Sequence, residues 1–182
     1  MILVRARPSD AKGIAALHAE SWRAAYRGSL SDDYLRDKVQ ADREAVWSER
    51  LNYPPPNQYV VLAEQEGELA GFGCVYVNEN EEWGSLLDNL HVKAGLQGQG
   101  LGRRLVLDVA EWCLKQGFDN GLYLWVFQKN VVAQTFYQKL GAVPLGEDLW
   151  QPPGGEKVPS YRFGWKSVSE LVRRLGITRI HP

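Results

Sequence analysis

The residues best suited to binding a ligand form one glycine-rich stretch, Gln97-Gly98-Gln99-Gly100-Leu101-Gly102-Arg103. Glycines at alternate positions lack the Cβ atoms that would hold a ligand away from the backbone. They also allow positive φ, so successive N–H groups can point into one concavity. The stretch follows the apolar residues 85–92 and precedes residues typical of a helix, whose free N–H groups and dipole favour an anion. It predicts a phosphate-binding turn between a strand and a helix.

Two common phosphate-binding motifs do not fit this stretch. A P-loop requires Gly-Lys followed by Ser or Thr, whereas the chain has Gly102-Arg103-Arg104. The dinucleotide fingerprint G-x-G-x-x-G ends on Arg103 when it is read from Gly98 and on Leu105 when it is read from Gly100. The remaining pattern is Gln-x-x-Gly-x-Gly, with an ordinary glycine-rich turn as the alternative.

A second stretch, residues 130–142, combines a polar helix cap with an aromatic pair. Asn130 is a typical cap residue. Tyr137, directly after Phe136, lies seven residues beyond Asn130, which is about two helical turns. Tyr137 is therefore expected on the same helix face as the cap, where it can project toward the centre of a sheet. Gly141 is suited to ending this helix.

Together the two stretches resemble the GNAT superfamily of N-acetyltransferases. The first matches its pyrophosphate loop, with Leu90-His91-Val92 just upstream. The second matches the pattern Asn-x-x-Ala-x-x-Phe-Tyr-x-Lys-x-Gly-Phe except at Ala142, where the family has an aromatic residue. The resemblance implies acetyl-CoA as cosubstrate. It places the following residues against acetyl-CoA: Leu90, His91, Val92, Gln97, Gly98, Gln99, Gly100, Leu101, Gly102, Arg103, Asn130 and Tyr137.

The resemblance also assigns chemical roles. The backbone of Leu90 to Val92 would lie along the pantetheine arm, where two parallel strands splay apart, and Tyr137 would be the general acid. A phenol is protonated at neutral pH and can donate to a departing thiolate. Packing beside Phe136 is the alternative role for Tyr137. Arg103 and Arg104 could strengthen the phosphate site, and Lys129 or Lys139 could meet a phosphate of CoA. For Arg104 and Lys139, solvated helix surface is the favoured alternative.

The general base departs from the family pattern. The two positions where the family often has a glutamate are Leu86 and Trp125 here. Asp88 lies two residues beyond Leu86, and because strand side chains alternate, it should share the face of Leu86 and reach the acceptor. His91 should face the opposite side, where a structural role is favoured. An enzyme without a dedicated base is the remaining alternative.

The elements that must position these residues follow from hydrophobic periodicity and turn signals. The sequence predicts strands at residues 2–7, 59–65, 69–77, 83–92, 121–127, 142–145 and 160–165, the last two joined by a loop at 146–159. It predicts helices that begin at residues 9–10, 31–33, 42, 100, 130 and 167. This order resembles the GNAT topology over about residues 1 to 166. We expect one domain over residues 1–182 of mixed α/β class, with a mostly antiparallel sheet, one parallel strand pair and flanking helices.

The acceptor amine would be framed by the first helices and the loop at 146–159. The aromatic residues of these segments, Trp22, Tyr26 and Trp150, are the expected acceptor contacts, with Tyr34 nearby. Asp88, the candidate base, is expected to contact the acceptor as well. Core packing is the alternative for Trp22 and Tyr26. The acceptor is expected to be a small-molecule or peptide amine, which the sequence does not identify.

Composition narrows the function classes. The chain has 182 residues, is 45% hydrophobic and carries a formal net charge of −1, so it gives no electrostatic case for binding nucleic acid. No apolar run suits a membrane span, and no signal-peptide pattern is present, so a cytoplasmic location is expected. Cys74 and Cys113 are expected to be buried thiols, with no metal site.

Two alternatives concern assembly and activity. The chain could form a homodimer, and it could be a CoA-binding sensor without turnover instead of an enzyme.

Overall fold

A seven-stranded sheet forms the centre of the computed structural model, which describes residues 1–153 and 156–176. The strands lie in the order β1-β2-β3-β4-β5-β7-β6, and every neighbouring pair is antiparallel except β4 and β5. Their bounds are β1 Ile2–Arg5, β2 Gln58–Gln65, β3 Glu68–Asn80, β4 Gly84–Val92, β5 Leu122–Phe127, β6 Val143–Trp150 and β7 Val158–Trp165. This confirms the predicted fold class.

Five α-helices of the described residues cover both faces of the sheet. They are α1 Ala11–Ala25, α2 Val39–Asn52, α3 Leu101–Lys115, α4 Val131–Lys139 and α5 Val168–Gly176, with a 3₁₀ turn at Pro8–Asp10 and a π-helical turn at Tyr34–Lys38. Helices α1 and α2 bury Ile14 and Trp47 against Phe72 of β3. Leu105 of α3 and Leu171 of α5 belong to the core on the other face. We call the two surfaces the α1–α2 face and the α3 face.

The predicted loop at residues 146–159 is wrong over half of its length. β6 continues to Trp150, and β7 already begins at Val158, so the predicted loop shrinks to residues 151–157, of which 154 and 155 lie outside the described residues. A register shift between Pro144 and Gly146 interrupts the pairing, and most of β6 is exposed because it is the edge strand. An exposed edge strand with an irregularity does not show the apolar alternation that predicts a strand.

The parallel pair opens soon after it forms. β4 and β5 pair only at Ser85 with Leu122 and at Leu86 with Tyr123. Beyond this point, Leu90 and Val92 pair with β3 on one side and have no partner in β5 on the other. The backbone of residues 90–92 therefore faces a gap in the sheet, as the predicted splay requires.

A β-bulge in β4 changes which side chains share a face. Asn89 pairs with Cys74 of β3, whereas Leu87 pairs with Val75, so Asp88 is one extra residue in β4. A bulge breaks the strict alternation of side chains along a strand. The prediction that His91 lies on the face opposite Asp88 assumes that alternation, and the bulge makes the prediction wrong.

The C-terminal helix α5 completes the α3 face. Leu171 and Leu175 are buried in the core there, and the backbone N–H of Ser169 donates to Asp119 Oδ1 at 2.8 Å. Cys74 and Cys113 are buried free thiols, as predicted. Within residues 1–153 and 156–176, no helix combines the length and apolar character needed to cross a bilayer.

Candidate active site

The glycine-rich loop leads directly into the N-terminus of α3. Gly98 and Gly100 have φ of 78° and 81°, and a Cβ at either position would meet no heavy atom within 4 Å. Gly100 is the N-cap of α3 and offers no side chain to its first N–H groups. Positive φ explains why glycine stands at both positions. Free N–H groups at a helix N-terminus form a site for an anion.

An open cleft of about 560 Å³ lies between this loop and α4. Gly102 in the first turn of α3 allows the close approach of α4, since a Cβ there would lie 3.1 Å from the Phe136 ring. The residues that line the cleft are Gly98, Gly100, Gly102, Arg103, Val131, Val132, Thr135, Phe136, Lys139 and Leu140. The cleft joins the two sequence motifs on one side of the molecule.

The long side chains around the loop have different partners. Gln97 and Gln99 donate to the carbonyl oxygens of Val92 and Gly95, so they brace the loop itself. The Arg103 guanidinium donates to the Leu175 carbonyl at the end of α5. The side chain of Arg103 is thus tied to α5, although its backbone N–H lies in the first turn of α3.

Tyr137 lies on α4, whose first turn is capped by Asn130. Asn130 Oδ1 accepts from the Ala133 N–H at 3.1 Å, which confirms the predicted cap. The Tyr137 ring is buried near Phe136 and Trp165, with centroid distances of 5.1 and 6.4 Å. Burial, and secondarily the nearby Tyr26, raises the pKa of the Tyr137 phenol. The hydroxyl is therefore protonated at neutral pH, and the ring also contributes to packing.

Asp88 and His91 both lie on the α1–α2 face, which corrects the predicted placement of His91. Asp88 Oδ2 accepts from Arg50 of α2 at 2.7 Å and also from its neighbour Asn89. The His91 ring lies 4.5 Å from the ring of His18 in α1. The bulge at Asp88 thus brings two titratable side chains of β4 to the same side of the sheet.

His91 and His18 form a pair of neutral imidazoles. His18 Nδ1 accepts from the Trp47 indole N–H at 2.9 Å, which leaves the proton of His18 on Nε2. Part of His91 is exposed, but its ring packs against the rings of both His18 and Phe72, the latter at 5.1 Å between centroids. Burial, together with the charge of Arg43, lowers the pKa of His91 to about 4. Burial, followed by His91 and Arg43, also lowers the pKa of His18 well below 6.5.

An aromatic cluster connects these histidines to the end of β5. Trp22 lies 4.9 Å from His18, 5.5 Å from Tyr26 and 6.0 Å from Trp150, measured between ring centroids. Tyr26 in turn lies 4.2 Å from Phe127, the last residue of β5. The structure therefore brings together Trp22, Tyr26 and Trp150, which are distant in sequence.

Three further residues of this region, Arg43, Arg50 and His18, were not predicted from the sequence. A signal for Arg43 was available in α2. The helix buries Val39, Arg43, Trp47 and Leu51, which recur every four residues. An arginine within an otherwise apolar stripe of this spacing indicates a buried charge, and a buried charge needs a partner.

Comparison with known proteins places the chain among acetyltransferases. The sequence model of the acetyltransferase (GNAT) family matches residues 16–142. The uncharacterized N-acetyltransferase YuaI of Bacillus subtilis is 29% identical over 174 residues, 94% of this chain and 96% of its own length. The thialysine N-epsilon-acetyltransferase of Bos taurus is 28% identical over 147 residues, which cover 76% of this chain and 82% of that protein.

A solved structure shows the same fold. The PaiA N-acetyltransferase from Thermoplasma acidophilum, in complex with coenzyme A, superposes with a TM-score of 0.63 at 20% identity. The match covers 88% of this chain and 98% of that protein.

Proposed function

Because the chain belongs to the GNAT family of acetyltransferases, we propose that it transfers an acetyl group from acetyl-CoA to a primary amine. The observation that carries the proposal is the glycine-rich N-terminus of α3 beside the open edge of β4. The names of its N-acetyltransferase relatives and the coenzyme A in a structure of the same fold support this assignment.

The residues fit the parts of acetyl-CoA. The N–H groups of the first turn of α3, from Leu101 to Arg103, would hold the pyrophosphate, and Gly98 and Gly100 leave room for it. The unpaired edge of Leu90 to Val92 would bind the pantetheine amides as a strand partner does. Lys139 lines the same cleft and can approach a phosphate. Acetyl-CoA supplies an activated thioester, so transfer requires no covalent enzyme intermediate.

Tyr137 would hold the proton that a departing thiolate requires. Burial keeps its phenol protonated, and the charge that develops on sulfur is the natural acceptor of that proton. A backbone N–H at the open edge of β4 would stabilise the oxyanion, because it is fixed in place before the reaction begins. Direct attack by the amine then needs only a neutral nucleophile.

Asp88 is the proposed base on the acceptor side. It lies on the α1–α2 face together with His91, and its Oδ1 is free of the two hydrogen bonds that Oδ2 accepts. Trp22, Tyr26 and Trp150 would line the acceptor pocket above it. The thialysine N-epsilon-acetyltransferase relative favours a small-molecule amine over a peptide.

Two measurements test the proposal. Isothermal titration calorimetry should detect acetyl-CoA binding in the wild type and no binding in Gly100→Asp, which places a carboxylate in the anion site. Release of free CoA thiol is then followed with a panel of polyamines, amino acids, aminoglycosides and peptides. Binding without thiol release for any amine would favour the alternative of a CoA-binding sensor. Absence of binding would refute the assignment altogether.

A further inference from the structure

Arg43 is a buried charge on the acceptor side of the proposed active site. Only 7% of the residue is exposed, and its guanidinium lies 4.4 Å from the centroid of the Trp22 ring. Nη2 donates to Asp42 Oδ2 at 2.9 Å. That carboxylate oxygen also accepts from the Tyr34 hydroxyl. The cluster therefore holds one cation against one anion that is shared with a phenol.

The Nε edge of this guanidinium has no acceptor in the part of the chain that the structure describes. Among residues 1–153 and 156–176, Arg43 Nε is buried without a hydrogen-bond partner. Buried N–H groups in proteins are nearly always paired, and charged donors lose the most when they are not. A guanidinium presents its N–H groups as a planar fork that matches the two oxygens of a carboxylate. Asp42 occupies one part of that fork, and the Nε part is left for a second acceptor.

The position of Arg43 connects it to the reaction centre. Its guanidinium stacks on Trp22, which contacts Tyr26 and Trp150 of the proposed acceptor pocket. Arg43 is also near enough to His91 of β4 to help lower the pKa of that imidazole. Arg43 thus contacts Trp22 directly, and Trp22 contacts the other aromatic residues that are proposed to surround the acceptor.

We propose that Arg43 binds a carboxylate of the acceptor, so that the acceptor is an amino acid or another amine that carries a carboxylate. This inference rests on the proposed N-acetyltransferase function. Charge balance supports it, because Arg43 with Asp42 and Arg50 with Asp88 are two neutral pairs. A zwitterion brings one ammonium and one carboxylate, so it enters without adding net charge to a buried site.

The test compares matched acceptors that differ only in the carboxylate. L-lysine and a series of ω-amino acids, from glycine to 6-aminohexanoate, are each assayed against the corresponding carboxamide at saturating acetyl-CoA. The wild type should prefer the acids, with the best chain length reporting the distance between Arg43 and the thioester site. Arg43→Lys keeps the charge but removes the Nε edge. It should raise KM for the acids about 10- to 100-fold, the size of a lost charge-assisted hydrogen bond, and leave the amides unaffected.

Arg162 provides a matched control. Its guanidinium also stacks on tryptophans, at 4.7 Å from Trp83 and 4.6 Å from Trp125, and its Nε is likewise buried without a partner among the described residues. Arg162→Lys should leave the preference for acids intact. Loss of the preference in Arg162→Lys instead, or equal kcat/KM for acids and amides in the wild type, would overturn the assignment to Arg43.

A binding measurement separates this inference from the proposed function. In ¹H–¹⁵N spectra of arginine side chains, the Nε–H signal of Arg43 should shift when 6-aminohexanoate or lysine is added in the presence of CoA, and not when the amides are added. This readout uses the wild type, so it remains valid if Arg43→Lys does not fold. A shift without any acetyl transfer would refute the proposed activity but support the carboxylate site. No shift with any acid in the series would refute the site.

Discussion

At the residue scale, burial determines how each candidate group can act. Tyr137 and His91 are both surrounded by apolar and aromatic side chains, and burial disfavours the charged form of each. The phenol is therefore held protonated and the imidazole neutral. Asp88 differs, since Arg50 and Asn89 both donate to one of its oxygens. The candidate acid, Tyr137, thus lies among apolar and aromatic side chains, whereas the candidate base, Asp88, lies among polar hydrogen-bond donors.

Tyr137→Phe should lower kcat about 10²-fold, because a positioned general acid contributes at least that much and the ring is retained for packing. Acetyl-CoA affinity, measured by calorimetry, should change little. Tyr161→Phe is the control, since this half-buried tyrosine lies on β7 and packs against the core of the α3 face. Equal kcat in Tyr137→Phe and the wild type, once chemistry is shown to be rate-limiting, would leave Tyr137 with packing alone.

Asp88→Asn should lower kcat/KM most strongly at low pH. An alkyl ammonium has a pKa of about 10.4, so only about one molecule in 2,500 is neutral at pH 7 without help from a base. The deficit of the variant should shrink as the pH rises toward that value. Arg50→Gln removes the ion pair but keeps the carboxylate, and it should retain most of the activity. A pH-independent loss in Asp88→Asn would instead indicate that Asp88 binds the positive charge of the acceptor.

At the element scale, strand β4, the glycine loop and helix α3 form one continuous unit. β4 loses its β5 partner after Leu86, the loop turns through Gly98 and Gly100, and α3 begins at Leu101. The Arg103 guanidinium ties the first turn of α3 to the Leu175 carbonyl of α5. The C-terminal helix therefore fixes the orientation of the N–H groups that the proposed cosubstrate site requires.

Gly100→Ala and Gly117→Ala separate backbone strain from ligand binding. Both glycines have positive φ, 81° and 87°, and both have open space where a Cβ would stand. Each alanine should cost roughly 1 kcal/mol of unfolding free energy, because it must adopt the left-handed conformation. Only Gly100→Ala should also weaken acetyl-CoA binding, as seen by calorimetry. An equal loss of affinity in both variants would point to global strain and not to a site at Gly100.

At the scale of the whole molecule, two differently built faces meet at the gap between β4 and β5. The α3 face holds a large apolar core, whereas the α1–α2 face places histidines and arginines within aromatic clusters. The α3 face would hold the cosubstrate and the α1–α2 face the acceptor. The buried histidines of the α1–α2 face make the free energy of unfolding depend on pH.

The free energy of unfolding should fall as the pH is lowered from about 6.5 to about 4. His91 binds a proton near pH 6.5 when unfolded but only near pH 4 when folded, so stability is greatest above 6.5 and decreases through this window. The loss from His91 should be about 3.4 kcal/mol at most. Urea denaturation across this range should give a shallower pH dependence for His91→Phe. Parallel curves for variant and wild type would show that His91 does not drive the effect.

The sequence alone was sufficient for the features that depend on local backbone geometry. Positive φ requires glycine at positions 98 and 100, and Asn130 caps a helix. Hydrophobic periodicity and turn residues indicate the order of the strands and helices. These signals lie within a few residues of the structure that they specify. For that reason the element order, the helix cap and the loop into α3 were predictable from local signals, and the resemblance of that order to the GNAT topology added the single parallel pair.

The arrangement of the α1–α2 face depends on contacts between elements that are distant in sequence. The bulge at Asp88 depends on the pairing of β4 with β3, and it reverses the predicted side of His91. The length of β6 depends on its pairing with β7, and the burial of Arg43 depends on Trp22 from another helix. Such contacts join residues far apart in the chain, so the local stripe that marks Arg43 as buried does not identify its partner in another helix. The proposed acceptor site belongs to this class because three-dimensional packing, and not spacing along the sequence, assembles it.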